Sequence, residues 1–517
     1  MDNFCFRFIL GMGLWMIALG TSAQQIYRTG SEDPVNTNHS QGILLAGGAT
    51  DNDDAMRWLL EQADGGDVVV LRASGSDGYN NYMYSQLGVA VNSVTSIVIR
   101  SSEEASASEV LDLVRHAEVV FIAGGNQWNY VNYWRDSRLL DLLDELIHRK
   151  KISIGGTSAG MAVLGEVVFS AENNTVWSSE ALSDPYHWRV MLEKDFLQVP
   201  FMEHTVTDTH YNREESDGMG RKGRHTGFLS RMVTDWNMPA KGIAANEYTA
   251  VAIDSEGKAR VFGDPSYDDN AYFLQAYGGA PEVCESETPL HWDQDGKAIM
   301  VYKVSGTTDG SYWLSLTDWI NGEGGQWQFW HVDEGELVER EPLDDENEGG
   351  WIQILVRDAD DGSALEGASV YLIDHDKAVT PNFGLVNFRP VERDREWTWV
   401  VEKEGYIPKE GNLTIGEDNI SLTVELTKGD TTPVTGMIKG KQLTVYPMPA
   451  TDQIHIESGS VITDLQLIDL SGRRVFHRQP DSTSHSLETG HLPKGTYIIR
   501  AETTAGTSIQ RVQIIPN

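Results

Sequence analysis

The residue best placed for chemistry in this sequence is a serine in a short, glycine-flanked turn. Residues 156–160 read Gly-Thr-Ser-Ala-Gly and fit the pattern G-x-S-x-G, with Ser158 at the centre. A strand-like stretch precedes the turn at residues 151–154, and the apolar run 161–164 predicts the start of a helix. In such a strand-to-helix turn the small neighbours relieve backbone crowding, and the hydroxyl projects above the sheet edge. We predict a nucleophile at Ser158; the alternative is a phosphate-binding or purely structural turn.

A serine nucleophile also needs donors that stabilise the oxyanion of its tetrahedral intermediate. The N–H of Ala159, directly after the nucleophile, would supply one donor. A second would come from Gly124 or Gly125, which end a predicted strand that we place beside the serine strand. The N-terminus of the predicted helix after the turn would favour the same developing charge.

The serine hydroxyl is a poor nucleophile unless a base lies within hydrogen-bonding reach. His210 is the candidate base, because it ends the strand-like stretch 206–210 and glycine- and arginine-rich sequence follows it. A carboxylate should then hold the histidine in the correct tautomer. Glu172 and Glu180 lie between the serine and the histidine, in the chain order of α/β-hydrolases, and Glu247 is a third candidate. Spacing does not decide among the three.

The same stretch also permits a metal-site hypothesis. On a strand, His204, Asp208 and His210 would share one face. Histidine and aspartate are ligands of zinc and iron. No H-E-x-x-H motif or cysteine cluster supports this alternative. We therefore predict no metal and no organic cofactor.

Composition bounds the class of protein and its compartment. The chain has 517 residues, 40% of them hydrophobic, and a net charge of −37. Such a chain is long enough for about three domains, and its charge repels nucleic acid and anionic membranes. Its two cysteines are Cys5 and Cys284, and the first lies in a segment that we expect to be removed. A mature secreted chain without a cysteine pair fits bacterial export.

Residues 1–23 have the pattern of a signal peptide. Arg7 supplies a positive charge, the apolar run 8–19 follows, and small residues at 21 and 23 suggest cleavage before Gln24. The alternative is an uncleaved anchor. We expect no transmembrane segment in the mature chain.

From residue 42 to about 264, apolar strand-like runs alternate with helical stretches. This pattern predicts an α/β fold with a mostly parallel sheet flanked by helices, whose sites lie at the carboxyl ends of the strands. The predicted strands are 43–46, 67–71, 96–99, 119–123 and 152–154, and the predicted helices are 53–64, 106–116 and 137–150. A catalytic domain over residues 24–345 would contain them.

Short alternating segments after residue 350 predict two small all-β sandwich modules. We assign the first to residues 346–428, a linker to 429–440 and the second to 441–517. The first of these modules resembles carboxypeptidase-regulatory-like sandwiches, and we assign it no chemistry.

Three motifs together resemble the cyanophycinase family of serine exopeptidases, which also contains aspartyl dipeptidase. They are Gly-Gly-Thr-Ser-Ala-Gly-Met at 155–161, Gly-Gly-Asn-Gln at 124–127 and Asp-Thr-His at 208–210. The resemblance covers roughly residues 42–264. It implies cleavage of multi-L-arginyl-poly-L-aspartate into β-aspartyl-arginine dipeptides, with no cofactor.

The resemblance also implies roles for individual residues. It implies a triad of Ser158, His210 and an acid in a Ser-Glu element, which we match to Glu180, while Glu172 stays open. Asn126 and Gln127 would contact substrate. The arginine cluster after the histidine maps to Arg213, Arg221 and Arg224, which would hold a substrate carboxylate. We also count Gly124, Gly125, Ala159 and Asp208 among the residues expected to bind substrate or the oxyanion.

This sequence departs from the family at two places near the histidine. Thr209 stands where the cyanobacterial enzymes have glutamine, and the acidic insert 214–217 splits the arginine cluster. Both departures put the substrate in question while leaving the hydrolytic chemistry intact.

The C-terminal module resembles a type IX secretion sorting domain of secreted Bacteroidetes proteins. The matching residues are 446–452, 468–475 and 492–497. The resemblance implies that the secretion machinery is a partner, that the protein is secreted or held at the cell surface, and that this domain is cleaved. A further adhesive sandwich is the alternative.

We therefore predict a secreted serine exopeptidase acting on β-aspartyl-arginine-type peptides through an acyl-enzyme. The competing hypotheses are an aspartyl dipeptidase-like enzyme with another substrate and a secreted binding or adhesion protein with an inactive hydrolase core. A homodimer is one oligomeric state that the sequence leaves open.

Overall fold

The computed structural model describes most of the chain. The predicted signal peptide and the acidic insert 214–217 lie outside the described residues, as does the linker except Gly429. The described residues are 25–213, 219–340, 349–373, 375–429, 443–446, 450–469, 473–504 and 506–515.

The first part of the chain alternates strands and helices. Its strands are β1 (Gln25–Gly30), β2 (Ile43–Ala46), β3 (Asp67–Arg72), β4 (Ser93–Val98), β5 (Val119–Ile122) and β6 (Ser153–Thr157). Its helices are α1 (Asp53–Glu61), α2 (Gly78–Asn81), α3 (Ser102–Ala105), α4 (Ser108–His116), α5 (Gln127–Trp134) and α6 (Arg138–Glu145). The π-helical turns Tyr82–Gln86 and Leu146–Lys150 extend α2 and α6.

The second part adds more strands than helices. Its strands are β7 (Val167–Phe169), β8 (Leu192–Lys194), β9 (Thr205–Asp208), β10 (Lys241–Ala245), β11 (Ala250–Ile253), β12 (Lys258–Phe262), β13 (Asn270–Ala276), β14 (Ile299–Ser305), β15 (Trp313–Ser315), β16 (Gly322–Glu323), β17 (Gly325–Asp333) and β18 (Glu336–Arg340). Its helices are the 3₁₀ turn Met161–Val163, α7 (Ser178–Ser183) and α8 (Lys222–Trp236).

These elements build two adjoining sheets. The first has the strand order β1-β4-β3-β5-β6-β2-β11-β12-β15-β16, and its central strands β4, β3, β5, β6 and β2 are parallel. The second has the order β18-β17-β14-β13-β10-β9-β7-β8, in which β7, β9 and β10 are parallel. The predicted α/β architecture is confirmed. The central strands are apolar throughout because packed side chains cover both faces of the sheet.

The rest of the chain is all β. It contains β19 (Gly350–Asp358), β20 (Ser369–Leu372), β21 (Asp376–Val379), β22 (Leu385–Val391), β23 (Glu396–Glu402), β24 (Lys409–Thr414) and β25 (Ile420–Leu426), followed by β26 (Leu443–Tyr446), β27 (Gln453–Asp469), β28 (Arg474–Arg478), β29 (Ser482–Glu488), β30 (Gly495–Thr503) and β31 (Gly506–Ile514). The sheets β22-β19-β25 and β21-β20-β23-β24 enclose one apolar core, and the last six strands form a single sheet with its own core.

The first β module packs against the α/β region. Phe383 and Leu385 join the apolar cluster that surrounds α8. Asn321 and Asn419 exchange hydrogen bonds across the same junction. The exact domain boundaries stay a prediction. Among the described residues, no helix has the length and apolar character that spanning a membrane requires.

Candidate active site

The serine turn has the strained geometry that its glycines suggest. Ser158 follows β6 with φ 52°, and its N–H donates to the carbonyl of Ala46 at 2.9 Å. A Cβ on Gly156 would stand 2.4 Å from the carbonyl carbon of Gly160, and one on Gly160 would stand 2.0 Å from the Ile122 oxygen. Neither position tolerates a side chain, so the motif is a steric requirement of the turn.

The element after the turn differs from the prediction. Residues 161–163 form a single 3₁₀ turn and not the start of an α-helix. So short an element has few aligned peptide dipoles and provides no helix N-terminus. Stabilisation of an oxyanion therefore depends on individual N–H groups.

The candidate N–H groups belong to Ala159, directly after the serine, and to the neighbouring Gly124–Gly125 loop. Gly124 lies so close that a Cβ on it would stand 3.6 Å from Ser158 Cβ. Within the described residues, the backbone N–H groups of Ala159, Gly124 and Gly125 donate no hydrogen bond. The predicted oxyanion donors are thus adjacent to the hydroxyl and available.

The structure brings a histidine and a carboxylate into line with the serine. Ser158 Oγ lies 2.8 Å from His210 Nε2, and His210 Nδ1 lies 2.7 Å from Oε1 of Glu247. The His210 and Glu247 side chains are 19% and 25% exposed, so the pair is half-buried yet open to a ligand. With the proton on Nδ1, facing Glu247, Nε2 is free to accept the serine proton.

The carboxylate beside His210 is therefore not the one the resemblance favoured. Glu180 sits at the start of α7, where it accepts from the Trp177 N–H at 3.1 Å and from Arg189 Nη1 at 2.7 Å. Glu172 is exposed, and its N–H donates to Ser170 Oγ. Of the three candidates, the fold brings Glu247 to the histidine, because β10 runs parallel to β9 and both strands end at the same edge.

Two residues that the sequence did not identify hold this arrangement. The His210 ring lies against Gly48, whose Cβ would stand 2.5 Å from ring Cε1. Asn212 Oδ1 accepts from the Glu247 N–H at 3.1 Å and ties the two loops together. Gly48 carried a visible signal, a Gly-Gly pair at the end of a predicted strand; Asn212 carried none.

The Gly-Gly-Asn-Gln loop also binds its own backbone. Asn126 Oδ1 accepts from Trp128 N–H at 3.1 Å and caps α5. Gln127 Nε2 donates to the Phe169 carbonyl at 3.4 Å. Both side chains, predicted to contact substrate, are engaged in shaping the loop.

Asp208 and Arg224 form a buried ion pair and do not face a ligand. Arg224 donates through Nε to Asp208 Oδ2 at 2.8 Å and through Nη2 to Oδ1 at 2.5 Å, and both side chains are 3% exposed or less. Burial alone raises the pKa of Asp208, but the Arg224 guanidinium brings the net value below its usual range. Because these two side chains bind each other, the arrangement gives no support to the expectation that they contact substrate directly, which stays a prediction.

Arg221 is different, because no acidic side chain of the described residues lies within ion-pair distance of it. Its guanidinium stacks 5.3 Å from the ring centroid of Trp177, and among the described residues it makes no hydrogen bond and no ion pair. Burial, with the nearby charge of Arg224, lowers its pKa to about 9, so it stays cationic at neutral pH. Arg213 lies close by, with Nη2 3.7 Å from Glu247 Oε1.

The charges around His210 act in opposite directions on the imidazole. Burial lowers its pKa, the hydrogen bond and charge of Glu247 raise it, and the cations Arg221 and Arg213 lower it again. The net pKa is below the ordinary histidine value. The ring is thus neutral, and able to act as a base, somewhat into the acidic range.

The metal-site alternative does not assemble. His204 lies before β9 and pairs with Glu166 at 3.6 Å, Asp208 is held by Arg224, and His210 faces the serine. His204 and His210 both have positive φ and lie outside the strand, so the common face expected for them does not form. A separate group on the surface, His291 with Asp333 and Glu334, has donor atoms close enough together to hold an ion.

Two parts of the chain are similar to known protein families. Residues 43–256 match the family model described as Peptidase family S51, and residues 444–515 match the model of the Secretion system C-terminal sorting domain. Two cyanophycinases, from Synechococcus elongatus and Thermosynechococcus vestitus, are each 25% identical over 247 residues, which is 45% of this chain and 70% of the relative.

Two solved structures are similar to part of the chain. A peptidase from an acI-B1 actinobacterium aligns with 58% of this chain and 97% of its own, at 13% identity and a TM-score of 0.34. A putative peptidase E protein from Listeria monocytogenes aligns with 44% of this chain and 99% of its own, at 13% identity and a TM-score of 0.26. The chain thus contains a region, residues 43–256, that is similar to peptidase family S51, and its residues 444–515 match a sorting domain that indicates export to the cell surface or the medium by type IX secretion.

Proposed function

We propose that this protein is a serine-type exopeptidase of the cyanophycinase kind, with Ser158, His210 and Glu247 as its triad. The observation that carries the proposal is the continuous line of contacts, 2.8 Å from Ser158 Oγ to His210 Nε2 and 2.7 Å from His210 Nδ1 to Glu247 Oε1. These are the separations that proton transfer from a serine hydroxyl to an oriented imidazole requires.

In the first step Ser158 attacks the scissile carbonyl carbon while its proton passes to His210 Nε2. The carbonyl oxygen becomes an oxyanion that the N–H groups of Ala159 and the Gly124–Gly125 loop stabilise. The imidazolium, stabilised by Glu247, then gives its proton to the leaving amine, and the C–N bond breaks.

The resulting acyl-enzyme is hydrolysed by the reverse proton path. Water attacks the ester carbonyl as His210 removes its proton, and the Ser158–acyl bond breaks when the proton returns to the serine oxygen. No external cofactor enters either half of the reaction.

The cation Arg221 is a reason to expect an acidic group in the substrate. No carboxylate of the described residues pairs with this buried guanidinium, and a guanidinium in such a position favours a ligand carboxylate, which it binds through two parallel hydrogen bonds. β-Aspartyl-arginine-type peptides carry such a carboxylate beside the peptide bond. The similarity to cyanophycinases points to the same class of substrate.

Ser158→Ala tests the central claim. The variant should lose hydrolysis of cyanophycin, β-aspartyl dipeptides and α-aspartyl dipeptides while it keeps the circular dichroism spectrum of the wild-type protein. A fluorophosphonate probe should label wild-type Ser158 and not the variant. Wild-type turnover in the variant would overturn the assignment of the nucleophile.

The same experiment separates the alternatives. Folded wild-type protein that no fluorophosphonate labels would favour a binding or adhesion protein with an inactive core. Labelling together with cleavage of α-aspartyl dipeptides alone would favour an aspartyl dipeptidase-like specificity. A homodimer stays a prediction.

A further inference from the structure

Arg72 is a cation at the edge of the site that the triad does not use. It ends β3 and is half-buried, and among the described residues no carboxylate lies within ion-pair distance of it. An unpaired guanidinium on the rim of a cleft is suited to bind an anion.

The loop after β3 fixes the orientation of this guanidinium. Arg72 Nε donates to the Ser74 carbonyl at 2.6 Å and Nη1 donates to the Ser76 carbonyl at 2.7 Å. Gly75, at φ +87°, allows the loop to curl so closely that a Cβ there would stand 2.3 Å from Arg72 Nη2. Two donors of the fork are thus bound to backbone, while Nη2 makes no hydrogen bond within the described residues.

Strand register places Arg72 beside the oxyanion loop. Leu71 pairs with Ile122 on β5, and Ile122 pairs with Gly156 on β6. Two strand spacings correspond to about 10 Å between the end of β3 and the serine turn. Tyr130 bridges the interval, since its hydroxyl donates to the Ala123 carbonyl at 2.7 Å and its phenol is within electrostatic reach of Arg72.

Arg72 and Arg221 lie at different elements of the fold. Arg221 directly precedes α8, behind the end of β9 in the second sheet, whereas Arg72 ends a strand of the first sheet beyond the Gly124 loop. A peptide with its scissile carbonyl at Ser158 would extend toward both. An extended residue spans about 3.5 Å, so one residue beyond the scissile bond brings a terminal group within reach of the Arg72 side chain.

We propose that Arg72 binds the terminal carboxylate of the leaving residue and so makes this protein select free chain ends. This inference rests on the proposed function, because it assumes that Ser158 is the nucleophile. The two cations then have different partners. Arg221 binds the acidic group on the acyl side of the scissile bond, and Arg72 binds the carboxylate of the amine that leaves. Endopeptidase activity is then disfavoured because an internal peptide offers no such charge.

The test compares two peptides, each as the free acid and as its C-terminal amide: the dimer of β-aspartyl-arginine, in which a peptide bond joins the two aspartyl residues, and an α-linked aspartyl-arginine dipeptide. We expect wild-type protein to favour the acid, and Arg72→Gln to lower kcat/KM for the acid by about 10- to 100-fold while leaving the amide unchanged, the range expected for a hydrogen-bonded charge. Arg72→Lys should recover part of the preference. Arg100→Gln is the matched control, because Arg100 follows the neighbouring strand β4 and, among the described residues, its guanidinium donates only to Gln25.

An equal loss for acid and amide in Arg72→Gln, or the same change in Arg100→Gln, would overturn the proposal. Failure of the proposed function gives a different result, in which wild-type protein hydrolyses neither peptide. The two peptides are then used as competitors of fluorophosphonate labelling at Ser158. Protection by the acid alone, lost in Arg72→Gln, would support the carboxylate site, and equal protection by both would refute it.

Discussion

The imidazole of His210 packs directly against Gly48. A Cβ at this glycine, whose φ is +109°, would stand 2.5 Å from ring Cε1 and 2.7 Å from Nε2, the atom that faces Ser158. The same segment receives the His210 N–H, at 2.8 Å from the Gly47 carbonyl. The Gly47–Gly48 pair therefore positions the candidate base, His210.

Gly48→Ala should disable the site without unfolding the protein. The new methyl group displaces the ring by more than a hydrogen bond tolerates, and a misplacement of about 1 Å costs about 100-fold in rate. We expect kcat to fall by about that factor with KM little changed. The change in kcat is measured by steady-state kinetics on whichever substrate the wild-type protein hydrolyses best among cyanophycin, β-aspartyl dipeptides and α-aspartyl dipeptides.

Gly65→Ala is the control for backbone strain. Gly65 also has positive φ, +80°, but nothing lies within 4 Å of its Cβ position. Both variants carry a similar backbone penalty of about 1 kcal/mol. An equal loss of activity in the two variants would show that strain, and not the contact with His210, is responsible.

Glu247→Gln should be far more harmful to catalysis than Glu180→Gln. The amide cannot stabilise an imidazolium and permits the wrong tautomer of His210, a defect that costs about 10⁴-fold in a comparable triad. Glu180 bonds Arg189 and the α7 backbone, so its substitution should leave kcat within about 3-fold, the effect of a surface ion pair. Rate measurements on the two purified variants decide between the two carboxylates. A larger loss of activity in Glu180→Gln than in Glu247→Gln would make Glu180 the triad acid.

The sequence predicted the parts of the fold that local patterns encode. The runs 43–46, 67–71 and 119–123 are continuous strands because both faces of the sheet are covered, and they were recognisable from hydrophobicity alone. The serine turn was recognisable because its glycines are sterically required. The short 3₁₀ turn after it was not, since an apolar run of four residues does not specify helix length.

The triad acid illustrates what local patterns do not contain. Glu247 lies 37 residues after His210 and reaches it through the parallel pairing of β9 and β10, a non-local contact. Arg224 illustrates the reverse case. Its residue type and position are those of a side chain that binds substrate. In the structure, however, Arg224 on α8 pairs with the buried Asp208. Sequence spacing does not show which of several nearby arginines is buried.

The activity of the enzyme should persist into mildly acidic conditions, and Arg213 should help to set that limit. Burial lowers the pKa of His210, and the charges of Arg221 and Arg213 lower it further, so the ring loses its proton below the usual value of about 6.5. Arg213→Gln removes one of these charges and should move the acidic limb of the pH profile of kcat/KM to higher pH. The exposed Arg115→Gln, whose partner is Asp112 at 3.9 Å, should leave the limb in place. A shift of the limb toward lower pH would contradict this account.

The buried pair of Asp208 and Arg224 should stabilise the domain that carries the triad. Arg224→Met keeps the aliphatic packing against Phe169 and Phe228 but leaves a buried carboxylate without a partner, a change that costs about 3 to 5 kcal/mol. Urea unfolding followed by tryptophan fluorescence measures it. Arg231→Met is the matched control on the same helix, because Arg231 pairs with Asp235 near the surface, where such pairs are worth about 1 kcal/mol or less.

The pH dependence of this stabilisation has a definite sign. The pKa of Asp208 is depressed in the folded protein, so the contribution of the pair is complete above the unfolded value of about 3.9 and is lost as the pH falls through the folded value. The difference in stability between wild-type protein and Arg224→Met should therefore shrink only in strong acid. The double variant Asp208→Asn with Arg224→Met removes both charges, and it should be more stable than Arg224→Met alone if the penalty comes from the unpaired carboxylate. If instead the single variant unfolds at the wild-type urea concentration, the pair does not support the fold.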